Sequence, residues 1–190
     1  MKVLIACESS GTVREAFRRL GHDAWSCDLL PADDASLYHR QGDCLPVIRE
    51  GWDLVIAHPP CTHLAASGAR WFAEKRADGR QFEGVSLFQQ MAWLCHQHAY
   101  ACAIENPIGI MSRLYRKPDQ IVQPWQFGHG ETKATCLWLH NLPLLKSTNV
   151  VDGREARIHR LPPSKDRWKL RSKTYQGIAD AMASQWGATL

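Results

Sequence analysis

The stretch Asp53-Leu54-Val55-Ile56-Ala57-His58-Pro59-Pro60-Cys61 joins an apolar run to a stiff loop that carries a cysteine. Four consecutive apolar residues, two of them β-branched, predict a buried strand over 53–57. Pro59 and Pro60 end the strand, because proline has no amide N–H to donate to a neighbouring strand. We therefore expect Cys61 just past the carboxyl end of a strand, where open α/β sheets bind ligands. Position alone is equally typical of a catalytic thiol and of a half-buried structural cysteine.

The composition is that of an ordinary globular protein. The chain has 190 residues, of which 45% are hydrophobic and 22% charged, so it is long enough for one core. No apolar run approaches the roughly 20 residues of a membrane span, and the N-terminal stretch lacks the features of a signal peptide. Seven cysteines, an odd number, favour reduced thiols over a disulfide framework. We expect a single domain over 1–190 of a cytoplasmic protein that does not bind membranes.

Positive charge is concentrated near the end of the sequence. The whole chain has a formal net charge of +4. Between Arg154 and Lys173 there are eight basic residues and two acidic ones, so this segment carries +6 and the rest of the chain is net acidic. Such a segment is typical of a protein that binds a nucleic-acid backbone, although a solvated basic loop has the same pattern.

Other apolar runs predict strands that alternate with helices. We expect strands over 2–7, 24–27, 100–104 and 135–139, in addition to 53–57. Apolar residues recur at helical spacing over 85–98 and 175–186. The run at 2–7 is continuously apolar, as expected of a strand that is covered on both faces. The sequence therefore predicts an α/β fold with a mostly parallel sheet and helices on both faces.

The first predicted strand is followed by a polar turn, Glu8-Ser9-Ser10-Gly11, and then by an amphipathic helix. We expect Ser10 or Thr12 to cap this helix and Gly21 to end it. The next strand ends at Asp28. A helix N-terminus near backbone amides, with a carboxylate after the second strand, is the general plan of a nucleotide-type cofactor half-site. The turn lacks a G-x-G-x-x-G pattern, so this unit alone identifies no cofactor.

Two further segments are candidates for the site. Asp43 follows Gly42 ahead of the central strand, where it is typical either of a ligand-binding acid or of an Asx turn or helix cap. Residues 62–84 interleave Arg70 and other basic residues with aromatic ones. This pattern is typical of a mobile lid over a nucleic acid and of a solvated charged helix.

Cys95, His98 and Cys102 have the spacing of metal ligands. No complete second pair of ligands accompanies them, and cysteine is a common core residue. We therefore expect these residues to pack in the core, and no metal is predicted.

A carboxylate ends the strand predicted over 100–104, because Glu105-Asn106-Pro107 follows it directly. Cys61 follows the strand over 53–57 in a similar way. Since the carboxyl ends of parallel strands meet at one edge of a sheet, we expect Cys61 and Glu105 to lie at the same edge.

These residues resemble, in their order and local sequence, the DNA cytosine carbon-5 methyltransferases. Pro59-Pro60-Cys61 is similar to the nucleophile loop of that family, and Glu105-Asn106 is similar to its Glu-Asn pair, which holds the target base. The resemblance covers roughly residues 1–110 and, loosely, the closing helix. It implies a Rossmann-like fold for methyl transfer from S-adenosylmethionine, with Cys61, Glu105 and Asn106 as catalytic residues.

The resemblance also implies a site for the cofactor. Gly42-Asp43 stands where the family has a Gly-Asp that contacts the adenine of S-adenosylmethionine, and Asp28 stands where an acid binds the ribose. The turn before the first helix stands near the Gly-rich cofactor turn of the family. The implied cofactor-binding residues are Glu8, Ser9, Ser10, Gly11, Asp28, Asp43 and Pro59.

The chain departs from the family in three ways. The first turn lacks the family's aromatic residue and paired glycines, and the arginine-bearing motif after Glu-Asn has no clear counterpart over 123–133. The large target-recognition region is missing, because fewer than 40 residues separate the predicted strand over 135–139 from Tyr175. A short basic segment over 141–174 stands in its place. We expect single- or double-stranded DNA as the partner with little sequence discrimination, or a partner protein or homodimer that supplies target recognition.

The expected substrate contacts come from Pro60, Arg70, Arg167, Lys169 and Arg171. One alternative keeps the carbon-5 chemistry on a free pyrimidine nucleotide such as dCMP. Another is a catalytically inactive nucleic-acid-binding module of the same fold. An amino-group methyltransferase is disfavoured, because that pattern places an aromatic residue after the prolines, where this chain has Cys61.

The chemistry explains the residue types independently of the resemblance. Carbon 5 of cytosine is too weak a nucleophile to take a methyl group from a sulfonium, but a thiolate that adds at carbon 6 makes it enamine-like. Cysteine is nucleophilic near neutral pH and is still able to leave. A carboxylic acid at ring nitrogen 3 stabilises the charge that develops there, which is the role expected of Glu105. In a duplex the base must also be flipped out of the stack.

Overall fold

The centre of the protein is one sheet, described by a computed structural model that covers all 190 residues. The strands are β1 (Lys2–Ala6), β2 (Asp23–Asp28), β3 (His39–Gln41), β4 (Trp52–Ala57), β5 (Ala99–Pro107), β6 (Gln120–Val122) and β7 (Thr135–His140). They lie in the order β3-β2-β1-β4-β5-β7-β6. The first five strands in this order pair in parallel, and β7 runs antiparallel to β5 and β6. The predicted α/β fold with a mostly parallel sheet is therefore confirmed.

Helices connect the strands. They are α1 (Thr12–Arg19), α2 (Cys44–Ile48), α3 (Phe72–Ala77), α4 (Arg80–His98), α5 (Met111–Leu114), α6 (Arg157–Arg160), α7 (Arg167–Ser172) and α8 (Gln176–Gly187). Two 3-10 helices span Ala66–Trp71 and Pro124–Gln126. None of these helices has the length and apolar character needed to cross a membrane.

The core consists of two apolar clusters, one on each face of the sheet. Successive side chains of a strand point to opposite faces, so Val3 and Ile5 of β1 belong to one cluster and Leu4 to the other. The first cluster packs against α1 and α8, and Trp186 of α8 is fully buried in it. The second packs against α2 and α4, where Phe88 is fully buried. Helices thus cover both faces, as the continuously apolar strands predict.

The strand order reverses direction between β1 and β4. The chain moves outward from β1 to β2 and β3, and then returns to place β4 on the other side of β1. Open α/β sheets bind ligands outside the carboxyl ends of the strands at such a switch point. The residues that follow β1 and β4, Cys7 to Gly11 and His58 to Cys61, lie at this position.

β5 extends beyond the strand predicted over 100–104. Glu105, Asn106 and Pro107 belong to β5, because they pair with Leu137, Cys136 and Thr135 of the antiparallel β7. The expectation that these residues follow the strand is therefore corrected. The pairing that extends β5 joins parts of the chain about 30 residues apart, which no local pattern indicates.

The N-terminus of α1 also differs from the expectation. The N-cap residue is Gly11 rather than Ser10 or Thr12, although Ser10 Oγ accepts a hydrogen bond from the Thr12 amide at 3.4 Å. The Glu8 carboxylate instead accepts hydrogen bonds from the amides of Val13, at 2.7 Å, and Arg14, at 3.2 Å. A carboxylate is favourable here because it satisfies N–H groups that have no partner within the helix. Gly21 follows the end of α1 with a positive φ of 82°, as expected.

Candidate active site

The register of two parallel strands aligns the residues of the site. Ala57 of β4 pairs with Ile104 of β5, so the next residues along each strand, His58 and Glu105, are neighbours. His58 Nδ1 lies 3.4 Å from Glu105 Oε2. One residue further, the buried Asn106 donates from Nδ2 to the carbonyl oxygen of Pro59 at 2.7 Å. The loop before Cys61 is thereby tied to the strand that carries Glu105.

The loop that bears Cys61 is compact. The Cys61 carbonyl oxygen accepts hydrogen bonds from the amides of Leu64, at 3.0 Å, and Ala65, at 2.9 Å. Leu64 is fully buried. Its carbonyl oxygen packs so closely on Gly109 that a Cβ added at Gly109 would lie 2.2 Å from it. A glycine is therefore required at position 109 to hold the Cys61 loop in this place.

Glu105 and His58 form a largely buried pair, with 17% and 13% of their side chains exposed. Burial opposes ionisation of Glu105, but the hydrogen bond and charge of His58, together with the Lys133 charge, outweigh it and lower the pKa of Glu105. Burial likewise opposes protonation of His58, yet the hydrogen bond and charge of Glu105 raise the pKa of His58. The pair therefore favours a carboxylate on Glu105 and an imidazolium on His58.

Cys61 is partly exposed and lies within the field of Glu105 and Lys133. Burial and the negative charge of Glu105 raise the pKa of Cys61, while Lys133 and Arg171 lower it. Burial also lowers the pKa of Lys133, although the charge of Glu105 opposes this. Of these two cations, Lys133 favours a Cys61 thiolate more strongly, and its Nζ donates to the carbonyl oxygen of Lys173 at 2.9 Å.

A small cavity lies beside Glu105. It has a volume of about 10 Å³ and is lined by Glu105, Lys133, Thr135, Thr174, Tyr175, Ile178 and Met182. That is space for about one water molecule. A pyrimidine ring enters only if Thr174 and Tyr175, which join α7 to α8, move away from Glu105.

The turn after β1 stands at the switch point, where the cofactor was expected. Glu8 is buried and its carboxylate is committed to the start of α1, so it does not present a free carboxylate to a ligand. The amides of Ser9, Ser10 and Gly11 donate to no acceptor within the protein. The Cys7 residue before this turn has a positive φ of 60°, which is uncommon outside glycine. The turn thus presents backbone donors rather than a carboxylate.

The two acids expected to bind the cofactor lie at the same edge of the sheet. Asp28 ends β2, and its Oδ1 accepts from the Leu30 amide at 2.9 Å. Burial raises the pKa of Asp28. Asp43 follows β3 and accepts from the Leu45 amide at 2.9 Å, so it is the N-cap of α2. The interpretation of Asp43 as a helix cap is therefore confirmed, and the cap uses only one of its carboxylate oxygens.

The basic segment lies across this edge and is not an isolated loop. Lys169 and Lys173 both form ion pairs with Asp33, at 2.6 Å and 3.4 Å. The Asp33 amide in turn donates to the carbonyl oxygen of Ser9 at 2.9 Å. Arg171 donates to Ser67 Oγ at 3.5 Å. α7 therefore bridges the turn after β1 and the segment after Cys61.

The expected substrate-binding residues fall into two groups. Lys169 is paired with Asp33, so its ammonium group is less available to contact a phosphate. Arg70 is exposed, with its guanidinium 5.0 Å from the ring centre of Trp71. Arg167 and Arg171 are partly exposed and form no ion pair, and Pro60 is exposed beside Cys61. These four residues remain available to a ligand.

The segment over 62–84 is mostly helical. It contains the 3-10 helix Ala66–Trp71, α3 and the start of α4. Lys75 is buried and donates to the carbonyl oxygen of Thr62 at 2.6 Å. Gln81 donates to the carbonyl oxygen of His63 at 3.1 Å. These two bonds tie α3 and the start of α4 to Thr62 and His63. Any movement of the segment over the site therefore involves its exposed residues, such as Trp71.

Cys95 and Cys102 pack in the core, as expected, and both are buried. Burial and a contact with Cys102 raise the pKa of the Cys95 thiol. No group of three or more histidine, cysteine or acidic side chains is arranged to hold a metal ion.

Two residues of the site escape sequence reasoning. His58 lies in the stretch over 53–61, but only the register places it opposite Glu105. Its position directly after the strand predicted over 53–57, like that of Glu105 directly after the strand predicted over 100–104, was a usable signal. Lys133 had none, because it precedes β7 and approaches Cys61 only through the antiparallel pairing of that strand.

Comparisons of the chain with protein-family models and with curated proteins find no match. The function is therefore inferred from the geometry of the site and from the resemblance of its motifs.

Gly109→Ala should displace the Cys61 loop. The new Cβ meets the Leu64 carbonyl oxygen, and backbone atoms cannot move aside as a flexible side chain does. We expect the free energy of unfolding to fall by about 1–3 kcal/mol, measured in urea, and the rate of alkylation of Cys61 by iodoacetamide to change, measured by peptide mass spectrometry.

Gly68→Ala is the matched control, because the nearest atom to its added Cβ is the flexible Lys75 Nζ at 3.7 Å. This variant should stay within about 0.5 kcal/mol of the parent and leave alkylation unchanged. Equal effects of the two substitutions would contradict the role assigned to Gly109.

Proposed function

We propose that this protein is an S-adenosylmethionine-dependent methyltransferase that acts on carbon 5 of cytosine in a polynucleotide, most simply DNA. One observation carries the proposal. A thiol on a Pro-Pro loop just past β4 and a largely buried carboxylate within the last residues of the adjacent parallel β5 are held in register by the bond from Asn106 to Pro59. Carbon-5 alkylation of a pyrimidine needs this combination of a nucleophile and an acid. The strand order, with ligands expected at the β1/β4 switch point, supports a Rossmann-like fold for this reaction.

Cys61 is the proposed nucleophile. Its thiolate sulfur forms a bond to carbon 6 of the cytosine, and the electron pair of the carbon 5–carbon 6 double bond moves towards carbon 5. After the methyl group is added there, solvent water takes the carbon-5 proton, the double bond re-forms and the thiolate departs. The raised pKa of Cys61 means that the free protein holds mainly the thiol, and Lys133 favours the thiolate. Lys133→Gln is therefore expected to slow the reaction without removing the nucleophile.

Glu105 is the proposed acid at ring nitrogen 3. A proton delivered there neutralises the negative charge that the ring gains when sulfur adds at carbon 6. Asn106 fixes the loop through its buried hydrogen bond to Pro59 and so keeps Cys61 and Glu105 aligned. The cavity beside Glu105 is the proposed position of the base once Thr174 and Tyr175 have moved.

The turn after β1 and Asp28 are the proposed cofactor site. The unpartnered amides of Ser9, Ser10 and Gly11 suit a carboxylate, and the second oxygen of Asp28 suits the hydroxyl groups of a ribose. These donors and acceptors fit S-adenosylmethionine, which supplies an electrophilic methyl group when it is bound. Asp43 contributes through the oxygen that the α2 cap leaves free. The role of Glu8 is to hold the turn by capping α1.

The surface around the site favours a polynucleotide. Arg70, Arg167 and Arg171 lie around the segment that crosses the sheet edge, and none of them is paired with a carboxylate. The aromatic rings of Trp71 and Trp168 are 49% and 57% exposed in the same two segments. Cations that track phosphates, interleaved with rings on which bases stack, are typical of proteins that bind single strands.

One observation favours the free nucleotide as a second candidate. Lys169 and Lys173 are both paired with Asp33, and Arg157 is paired with Glu131 at 2.8 Å, so three of the eight cations of the basic segment already have a carboxylate partner. The remaining cations still exceed what the single phosphate of dCMP requires. We therefore retain the polynucleotide as the main proposal.

Mass spectrometry of the reaction products tests the activity directly. Cytosine-containing oligonucleotides incubated with the protein and S-adenosylmethionine should gain one methyl group at carbon 5, and dCMP should react more slowly or not at all. Cys61→Ala should abolish the transfer, whereas Cys95→Ala, buried in α4, should retain it. Methylation at an amino nitrogen, or faster turnover of dCMP, would contradict the proposal.

The dependence of DNA affinity on salt tests the polynucleotide interface. Each phosphate contact adds about 0.7–0.9 to the slope of log affinity against log salt. The double substitution Arg167→Gln and Arg171→Gln should therefore flatten the slope by up to about 1.4–1.8. Arg19→Gln is the control, because this exposed arginine at the end of α1 is paired with Asp180 at 2.6 Å, and its slope should not change. An unchanged slope in the double variant would place the interface elsewhere.

A further inference from the structure

His58 is positioned to exchange a proton with one residue of the site. It is the first residue after β4, and its amide donates to the carbonyl oxygen of Ala6 in β1 at 2.9 Å, which fixes its backbone at the switch point. Nδ1 faces Glu105 Oε2 at 3.4 Å. Nε2 is buried and has no hydrogen-bond partner in the protein. Glu105 is therefore the protein group that can accept a proton directly from His58.

The charge state of the pair leaves Glu105 without a proton of its own. His58 Nδ1 faces Glu105 Oε2 at 3.4 Å, the pKa of Glu105 is lowered and that of His58 is raised, so below the pKa of His58 the two residues share one proton, which resides on the imidazole. A carboxylate is unable to donate to ring nitrogen 3. Glu105 can therefore act as the acid in the proposed reaction only after a neighbouring group has given it a proton.

We propose that His58 supplies the proton that Glu105 delivers to ring nitrogen 3 of the target cytosine. This inference rests on the function proposed above. His58 acts through Glu105 and does not touch the base, so it is a positioning and proton-supplying residue rather than a catalytic one.

The proton balance closes over one turnover. The Nδ1–H bond of His58 breaks as an O–H bond forms on Glu105, giving a neutral imidazole and a neutral carboxyl group. That carboxyl group passes its proton to ring nitrogen 3 while Cys61 sulfur bonds to carbon 6. When the thiolate leaves the methylated ring, nitrogen 3 returns the proton to Glu105, and the pair regains its original state. The Cys61 thiol gives its proton to solvent before the addition and regains one after the thiolate departs, so the carbon-5 proton, taken by solvent water, is the one net proton released. No oxidant or reductant is needed.

Charged groups from three neighbouring elements act on His58. Glu105 of β5 and Glu8 after β1 favour the imidazolium, whereas Lys133 before β7 opposes it. Because Glu8 is fixed by the α1 amides, its charge is part of the structure. His58 therefore stays protonated to higher pH than an ordinary histidine, and the pair loses its shared proton only when the pH rises through the pKa of His58.

Two measurements test the proposal. The first is an NMR titration of protein with labelled imidazole rings. The titration midpoint of His58 should lie above the ordinary histidine value of about 6.5. It should fall in Glu105→Gln, because this variant keeps a hydrogen-bond acceptor but loses the negative charge. The second is the pH profile of kcat: one limb should coincide with the His58 titration. The same His58 midpoint in the parent protein and in Glu105→Gln would overturn the proposal. This comparison needs no substitution of His58.

His58→Asn separates proton supply from structure, because its amide places a donor near the position of Nδ1 but holds no titratable proton. We expect kcat near neutral pH to fall by about 100-fold, the limb assigned to His58 to move to lower pH, and KM to change little. His22→Asn, at the opposite edge of the sheet, is the control and should retain the parent profile.

The outcomes distinguish this inference from the proposed function. If the parent protein transfers no methyl group to any cytosine, the proposed function is wrong and the inference falls with it. If the parent is active and His58→Asn keeps the same profile and rate, His58 has no role in proton supply and the proposed function stands.

Discussion

The parallel register of β4 against β5 is the constraint on which the site depends. Pairing of Ala57 with Ile104 places His58 beside Glu105, and it places Pro59 where the Asn106 amide bonds to its carbonyl oxygen. A shift of one residue would turn every side chain of one strand to the other face, so a register that buries both apolar clusters also aligns the two loops. The same pairing that forms the core thus brings the thiol loop to the carboxylate.

The charges of the site are arranged so that each buried ion has a partner. An isolated carboxylate or ammonium group in a low-dielectric interior is strongly disfavoured, and breaking a buried pair leaves an uncompensated charge. Glu105 interacts with His58 and Lys133, and these cations lower its pKa despite burial. Lys133 interacts with Glu105 and Cys61, which raise its pKa, although burial lowers it. The proposed chemistry uses this arrangement, because a proton or an electron pair that moves among these groups changes the net charge of the site very little.

Local patterns predicted five of the seven strands, but not the short β3 and β6, and the edge of the sheet at which the site lies. Continuous apolar runs, followed by polar or proline residues, indicate where strands end, and this placed Cys61 and Asp28 correctly. Contacts between distant parts of the chain were not predictable in this way. The extension of β5 depends on its pairing with β7, and the neutralisation of Lys169 depends on Asp33, which lies far away in the sequence. The cap of α1 was wrong for a related reason, since the acceptor is Glu8, which precedes the N-cap residue.

The central claim is that Cys61 bonds covalently to carbon 6 of a cytosine. An oligonucleotide that contains 5-fluorocytosine tests it most directly, because the fluorine atom cannot be removed as a proton and the adduct persists. The protein should form a stable complex with this oligonucleotide only when S-adenosylmethionine is present, and peptide mass spectrometry should place the bond on Cys61. A complex of the same yield in Cys61→Ala, or an adduct mapped to one of the other six cysteines, would contradict the account.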